Sequence, residues 1–327
     1  MTRSLTVAQE SWPIAGSFRI SRGAKTEADV VVVEITDGDH RGRGECVPYA
    51  RYDETVQGVL TEINQHAGVI EVGLGREELQ SAMPGGAARN AVDCALWDLE
   101  AKQIGTPVWQ LAGLERMAPV TTAYTLSLDT PEGMAAAARE ASARPLIKVK
   151  LGLDGDEERL RAIREAVPQS KLIIDANEGW SRDRIEPLFA LCAEVGVTLI
   201  EQPLPAADDA LLADIARPVP VCADESVHGL DSLDAIAGRY DAINIKLDKT
   251  GGLTEALALC KAAEERGLDI MVGCMLATSL AMAPAMIVAQ SASVVDLDGP
   301  LLLARDRDPG ITFDGSIMQP PPPELWG

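Results

Sequence analysis

The sequence predicts an α/β fold: a (β/α)7β TIM-like barrel over residues 119–300, with an N-terminal α+β capping domain over 1–118 that the C-terminal tail, 301–327, rejoins. Three observations predict it. The chain has 327 residues, more than one ordinary core organises, so a large and a smaller domain are expected. Beyond residue 119, eight β-rich runs recur at a nearly constant step. The first 118 residues do not share that step.

The runs are Val120–Thr125, Leu146–Lys150, Lys171–Asp175, Val197–Glu201, Val219–Asp224, Ala242–Lys246, Asp269–Gly273 and Ser293–Asp298, with ends 22 to 27 residues apart. Helix-like stretches lie between them. Asp154–Val167 opens on acidic residues and repeats Leu160, Ile163 and Val167 at helical spacing. Leu253–Arg266 carries Leu253, Ala256, Leu257, Leu259 and Cys260 and is followed by Gly267. Strands alternating with helices at this spacing give a parallel sheet. Eight in succession give a closed barrel near the lower size of its class.

Residues 1–118 open on β-like stretches, of which Asp29–Ile35 is the clearest. A Gly-rich turn is expected at Gly42 and Gly44, then helices, with Ala91, Ala95, Leu96 and Leu99 on one face of Ala87–Lys102. Four consecutive prolines within Gln319–Glu324 exclude helix and central strand, so the tail is expected to wrap a surface.

Composition removes several classes of function. The formal net charge is −21, which opposes a nucleic-acid surface and docking on an anionic membrane. The 26 residues between Asp269 and Asp296 lack charge, but Gly273, Pro284, Gln290 and three serines break them into a buried strand–helix–strand unit. The six cysteines form no CxxC pair and read as reduced thiols of a cytoplasmic protein. Met1–Gly16 has no apolar run of the secretory kind. The three histidines lie far apart, so a histidine-based zinc site is unsupported.

In such a barrel the active site lies at the C-terminal ends of the strands. The third, fourth and fifth runs end in Asp175, Glu201 and Asp224. Any one alone is as well read as a helix cap. Three on adjacent strands would repel one another unless a cation joined them, and an all-oxygen set suits Mg²⁺, one ion per chain. Lys150 ends the second run and Lys246 the sixth, four strands apart in a ring of eight. Lysine is a weak base at neutral pH until a nearby dication or second ammonium lowers its pKa. Lys148 points to the same side as Lys150 and is placed to supply that charge or to grip a substrate oxygen. Two bases on opposite faces of one carbon are what inversion requires: one removes a proton and the other returns it. Charge developing on a substrate carboxylate would then be stabilised by the metal.

These residues resemble the enolase superfamily, in its muconate-lactonising subgroup, which pairs Lys-x-Lys with Asp, Glu and Asp and a further Lys on successive strands. Ala87–Leu99 in the capping domain, Asn244–Leu253, Gly273-Cys274-Met275-Leu276 and Asp296-Leu297-Asp298 resemble the dipeptide epimerases within it. The resemblance implies inversion at the Glu α-carbon of L-Ala-D/L-Glu through an enediolate, as in murein-peptide recycling. It implies that Asp296 and Asp298 hold the substrate ammonium. It implies that Arg22, or Arg19 beside it, takes the side-chain carboxylate. Thr125, Cys274 and Leu276 would line the site. Lys150 and Lys246 would serve the (R) and (S) faces. Asn177, Glu225 and Asp248 would support the metal ligands or cap the following helices. The implied partner is a small-molecule dipeptide, and a homo-oligomer is left open. Related readings are an N-acylamino acid racemase, an o-succinylbenzoate synthase or a cycloisomerase, which need no ammonium site. A metal-free Schiff-base aldolase is more distant.

Overall fold

A computed structural model describes residues 3–327. Its first unit is a three-stranded antiparallel sheet, β1 (Ser4–Ile20), β2 (Gly23–Asp37) and β3 (His40–Cys46), covered by α1 (Val56–Glu71), α2 (Arg76–Ala82) and α3 (Ala87–Ile104). Gly42 and Gly44 lie inside β3 and not in a turn. A Cβ at Gly42 would fall on the carbonyl of Ala95, and one at Gly44 on that of Ala91. The glycines let α3 press directly onto the strand. Fourteen residues of α3 are buried, because the helix is covered by the sheet on one side and by the barrel on the other.

After α4 (Val108–Leu111) comes a short strand, β4 (Val120–Thr121), and then β5 (Tyr124–Leu126). The first expected run is therefore split. β5 opens the barrel, while β4 pairs with the tail strands β13 (Phe313–Asp314) and β14 (Ile317–Met318). Between them run α5 (Pro131–Glu140), β6 (Leu146–Lys150), α6 (Asp156–Ala166), β7 (Lys171–Asp175), α7 (Ile185–Glu194), β8 (Val197–Glu201), β9 (Val221–Ala223), β10 (Ala242–Ile245), α8 (Leu247–Thr250), α9 (Leu253–Glu265), β11 (Asp269–Gly273), α10 (Ser279–Ala289), β12 (Val294–Asp296) and α11 (Gly299–Leu302).

β5 to β12 form one parallel sheet in sequence order. Among the described residues no regular ladder joins its two edges. Ala123 N donates to Val295 O at 2.8 Å, and Leu297 N to Thr122 Oγ1 at 2.8 Å, so the barrel is nearly closed. Two of the seven helical connections are only 3₁₀ turns, Asp209–Ala213 and Leu230–Ser232. Pro203, Pro205, Pro218 and Pro220 bound the first of them and prevent a longer helix. The uncharged 270–295 segment forms β11, α10 and β12, with ten of the eleven α10 residues buried. No helix among the described residues is long and apolar enough to cross a membrane.

The tail touches both units. Its strands pair with β4, while Trp326 Nε1 donates to Cys94 O at 3.0 Å and Gly327 N to Asp98 Oδ1 at 2.7 Å on α3. Buried polar links also join cap and barrel. Glu45 of β3 accepts from Thr278 N at 2.8 Å and from Arg307 Nη2 at 2.6 Å. Asp93 of α3 accepts from Thr254 N at 3.0 Å, at the start of α9. An acid there meets the unpaired N–H groups of a helix start.

Candidate active site

Parallel strands send all their C-terminal ends to one mouth, and the β1–β2 hairpin and the loop before α1 reach over it. The register aligns Lys150 with Asp175 and Asp175 with Glu201, and Asp224 follows directly on β9. The three acids are almost wholly buried.

Each acid has one oxygen held by a protein donor. Asp175 Oδ1 accepts from Asn177 N at 2.9 Å, Glu201 Oε1 from Asn244 Nδ2 at 2.7 Å, and Asp224 Oδ1 from Lys249 Nζ at 2.6 Å. The other oxygen of each meets a lysine of the mouth. Asp175 Oδ2 lies 2.5 Å from Lys150 Nζ, Glu201 Oε2 2.6 Å from Lys148 Nζ, and Asp224 Oδ2 2.6 Å from Lys246 Nζ. Among the described residues no three His, Cys, Asp or Glu groups form a ready metal cage, since ammoniums stand between the acids. The donors nevertheless fit a hard cation. Each acid presents a single oxygen, and buried Glu201 Oε2 accepts no directed hydrogen bond. A small all-oxygen set leaving positions for water and substrate suits Mg²⁺.

Charges inside the mouth act strongly on one another. Burial pushes the Asp175 carboxyl up, but Lys150 and Lys148 outweigh it and hold the group below the usual carboxylate range. Asp224 is held well below that range in the same way by Lys246 and Lys249. Glu201 goes the other way, to about 7, through burial and its neighbour Asp175. Burial would lower Lys246, but Asp224 and Glu201 raise it well above an ordinary lysine. A base at that position needs the opposite shift, which a cation bound to the acids would supply.

Lys148 does more than flank Lys150. Its ammonium bridges Asp175 at 3.2 Å, Glu201 at 2.6 Å and Asp296 at 2.7 Å. Asp296 ends β12, so the strand stops two residues short of the expected run Ser293–Asp298, and Asp298 lies beyond it. Leu297 N is tied to Thr122, and the chain turns there. They still converge, on Thr125: Asp298 Oδ2 accepts from its N at 2.6 Å, and Asp296 Oδ1 lies 3.5 Å from its Oγ1. Burial and Asp296 push the Asp298 carboxyl up to about 7. Cys274 is close enough that this acid pair adds to the upward push of burial on its thiol. Leu276 packs against Ile14, Ala28 and Leu303, at the seam between barrel and capping strands.

Arg22 occupies the two-residue turn between β1 and β2 and hangs over the mouth. It donates to Asn177 O at 2.9 Å, Glu225 Oε1 at 2.8 Å and Tyr49 Oη at 2.8 Å. Burial lowers its pKa, and Glu225 and Tyr49 more than reverse that. Arg19 instead lines a cavity of about 380 Å³ that shares Phe18 and Thr125 with the mouth and continues past Tyr124 to Met134 and Arg144. Asn177 and Glu225 thus stand between the acid ring and Arg22. Asp248 does not: its Oδ1 accepts from Val47 N at 3.0 Å and Asn90 Nδ2 at 2.8 Å, in the capping domain. Residues two apart on a helical turn point in different directions, so Asp248 leaves the side that Lys246 faces.

Several residues of the mouth escaped the sequence. Arg51 grips Glu178 with two bonds of 2.7 and 2.8 Å, and Glu178 lies 3.5 Å from Arg22. The Phe18 ring lies 5.9 Å from Lys150 Nζ. Tyr52 packs on His228 with centroids 4.5 Å apart. The spacing of Lys249 three residues after Lys246 was the one signal available.

Buried lysines and acids gathered at the mouth of a capped barrel mark this mouth as the candidate active site. The chain belongs to the enolase superfamily: residues 133–318 match the enolase C-terminal domain-like family, and residues 2–113 the N-terminal domain of mandelate racemase and muconate lactonizing enzyme. It is an isomerase of the racemase and epimerase kind. It is 47% identical to L-Ala-D/L-Glu epimerase of Escherichia coli (strain K12), over 95% of this chain and 98% of that protein. It is 46% identical to N-acetyl-D-glutamate racemase of a Pseudoalteromonas species, over 91% of this chain and 95% of that protein. An enolase family member from Agrobacterium tumefaciens, with homology to dipeptide epimerases, was solved with sodium and L-Ala-L-Glu bound. It superimposes with a TM-score of 0.98 at 56% identity, covering 99% of this chain and 100% of that one. A dipeptide epimerase from Methylococcus capsulatus, complexed with Mg and L-Arg-D-Lys, superimposes with a TM-score of 0.91 at 30% identity, covering 100% and 99%.

Proposed function

We propose that this protein inverts the Glu α-carbon of L-Ala-D/L-Glu dipeptides by two-base proton transfer, with Lys150 and Lys246 as the bases. The observation that carries the proposal is their placement. Two buried lysines stand on strands four apart, each against a different acid of one ring. One Nζ takes the α-proton from one face, and the other delivers a proton to the opposite face. Lys148, between Glu201 and Asp296, orients the substrate carboxylate and keeps positive charge beside it.

Asp175, Glu201 and Asp224 would hold one Mg²⁺. When bound, that ion supplies positive charge where the substrate carboxylate gains negative charge. Asp296 and Asp298 face the substrate ammonium, and Arg22 faces the glutamate side chain. A guanidinium engages a carboxylate with two parallel bonds. Phe18 on β1 and Tyr49 and Tyr52 in the segment before α1 exclude water from the lysines. A dipeptide of this composition is a murein fragment, so we place the reaction in murein-peptide recycling.

A second reading is N-acylamino-acid racemisation. It has support in the 46% identity to an N-acetyl-D-glutamate racemase and in Lys148, which already neutralises part of the Asp296–Asp298 pair. Deuterium exchange in D₂O with L-Ala-L-Glu and N-acetyl-L-Glu side by side separates the two. The first reading expects at least tenfold faster exchange of the dipeptide. Faster exchange of the acetylated substrate would replace it with the second.

A further inference from the structure

Lys249 is the one buried lysine of the mouth that the proposed reaction leaves without a task. Its three N–H bonds are fully committed: to Asp224 Oδ1 at 2.6 Å, Asp224 O at 2.6 Å and Asn244 O at 2.8 Å. Two of these acceptors are backbone carbonyls, which anchor the ammonium to the chain and leave it no free donor for a substrate. It stands three residues after Lys246 on the α8 turn, so the two side chains point the same way. Together they clasp Asp224 from two sides, Lys246 at Oδ2 and Lys249 at Oδ1. Lys249 also ties the end of β9 to β10, whose Asn244 side chain holds Glu201 Oε1 at 2.7 Å.

We infer that Lys249 is a positioning residue of the metal site. By binding both the backbone carbonyl and one carboxylate oxygen of Asp224, it fixes the side chain so that only Oδ2 is offered to a cation. Through Asn244 it sets the spacing of that oxygen from Glu201 Oε2. On the oxygen not facing Lys148, Lys150 or Lys246, Asp224 alone is held by a charged side chain; a backbone N–H holds Asp175 there and a neutral amide holds Glu201. The inference rests on the metal-binding reading of the acid ring.

Charge and position predict opposite results, which makes the inference testable. Removing a positive charge 2.6 Å from the Oδ1 of a ligand carboxylate should tighten cation binding if charge were its only contribution. Loss of position should weaken it, by roughly 10- to 100-fold for a residue that orients a ligand. The experiment titrates wild type, Lys249→Met and Lys249→Arg with Mn²⁺, reading free ion and the bound-ion spectrum by electron paramagnetic resonance. Circular dichroism and a cooperative melt establish the fold of each variant. Weaker binding in both variants, with a changed bound-ion spectrum, is expected, because a guanidinium cannot reproduce three bonds from a single nitrogen. Should Lys249→Met not fold, Lys249→Arg carries the test alone. Affinity of Lys249→Arg within twofold of wild type, or tighter binding by Lys249→Met, overturns the inference. A wild type that binds no Mn²⁺ would instead sink the metal reading beneath it.

Discussion

Arg22 Nη2 lies 2.8 Å from Glu225 Oε1, a bond that ties the turn of the β1–β2 hairpin to the loop that follows β9. The hairpin thereby brings a guanidinium to the mouth from more than 200 residues away in sequence. Replacing Arg22 by Met should lower kcat/KM for L-Ala-L-Glu by roughly 10- to 100-fold, the value of a hydrogen bond to a charged group. Most of the loss should fall in KM. Arg19→Met should have a smaller effect, because it is Arg22 whose guanidinium reaches Asn177, Tyr49 and Glu225, while Arg19 lines a cavity reaching Met134 and Arg144. Steady-state kinetics with L-Ala-L-Glu and L-Ala-L-Ala check this: equal losses with both dipeptides would assign Arg22 to holding the loop, not to reading the side chain.

Lys150 and Lys246 should separate exchange from inversion. Replacing either by Ala should lower epimerisation by about 10²- to 10⁴-fold or more, the usual contribution of a positioned base. Each variant should still exchange the α-proton of one epimer, and the two should differ in which one. Proton NMR in D₂O with each pure epimer reads this directly.

The acid pair at the end of β12 should select the substrate. The double change Asp296→Asn, Asp298→Asn should reduce dipeptide turnover by at least about 10-fold, because a substrate ammonium would lose its charged acceptors. Turnover of N-acetyl-glutamate should fall much less. A competition assay on the two substrates measures the ratio, and an unchanged ratio would remove the ammonium role.

Stability should carry a pH signature from the cap–barrel seam. Burial pushes the Asp93 carboxyl up to about 6, against acceptor bonds from Thr254 and Gln80 that lower it. A carboxyl raised on folding contributes stability below its unfolded pKa and loses it as pH rises through the folded value. Asp93→Asn lacks this loss. Between pH 4 and 7 wild type should therefore lose up to about 3 kcal/mol relative to the variant, at 1.36 kcal/mol per pKa unit. The missing acceptor adds a constant offset that does not alter the slope. Urea unfolding at four pH values tests it, and parallel curves would contradict the shift.

Much of this site could be read from sequence, for a geometric reason. A parallel barrel sends every strand end to one mouth, so the last residue of each β-rich run names a neighbour of the next. Asp175, Glu201 and Asp224 were readable that way, as were Lys150 and Lys246. What depends on the path after the strand was not. Asp248 and Lys249 diverge because the chain turns helical at Leu247, sending one to the capping domain and the other to Asp224. Asp298 falls off the expected run Ser293–Asp298 because β12 stops at Asp296. Gly42 and Gly44 suggested a turn, yet they serve the close approach of α3 to a strand. Arg51 and Glu178, 127 residues apart, carry no local pattern that would join them.

The central claim is two-base inversion of a dipeptide by opposed lysines. The most direct measurement incubates the Mg²⁺-loaded protein with L-Ala-L-Glu in D₂O and follows the Glu α-carbon by NMR and mass spectrometry. The account predicts L-Ala-D-Glu carrying one α-deuterium, the same product mixture from L-Ala-D-Glu, and loss of both on EDTA treatment. Folded, metal-loaded protein that neither exchanges nor epimerises the dipeptide would contradict it.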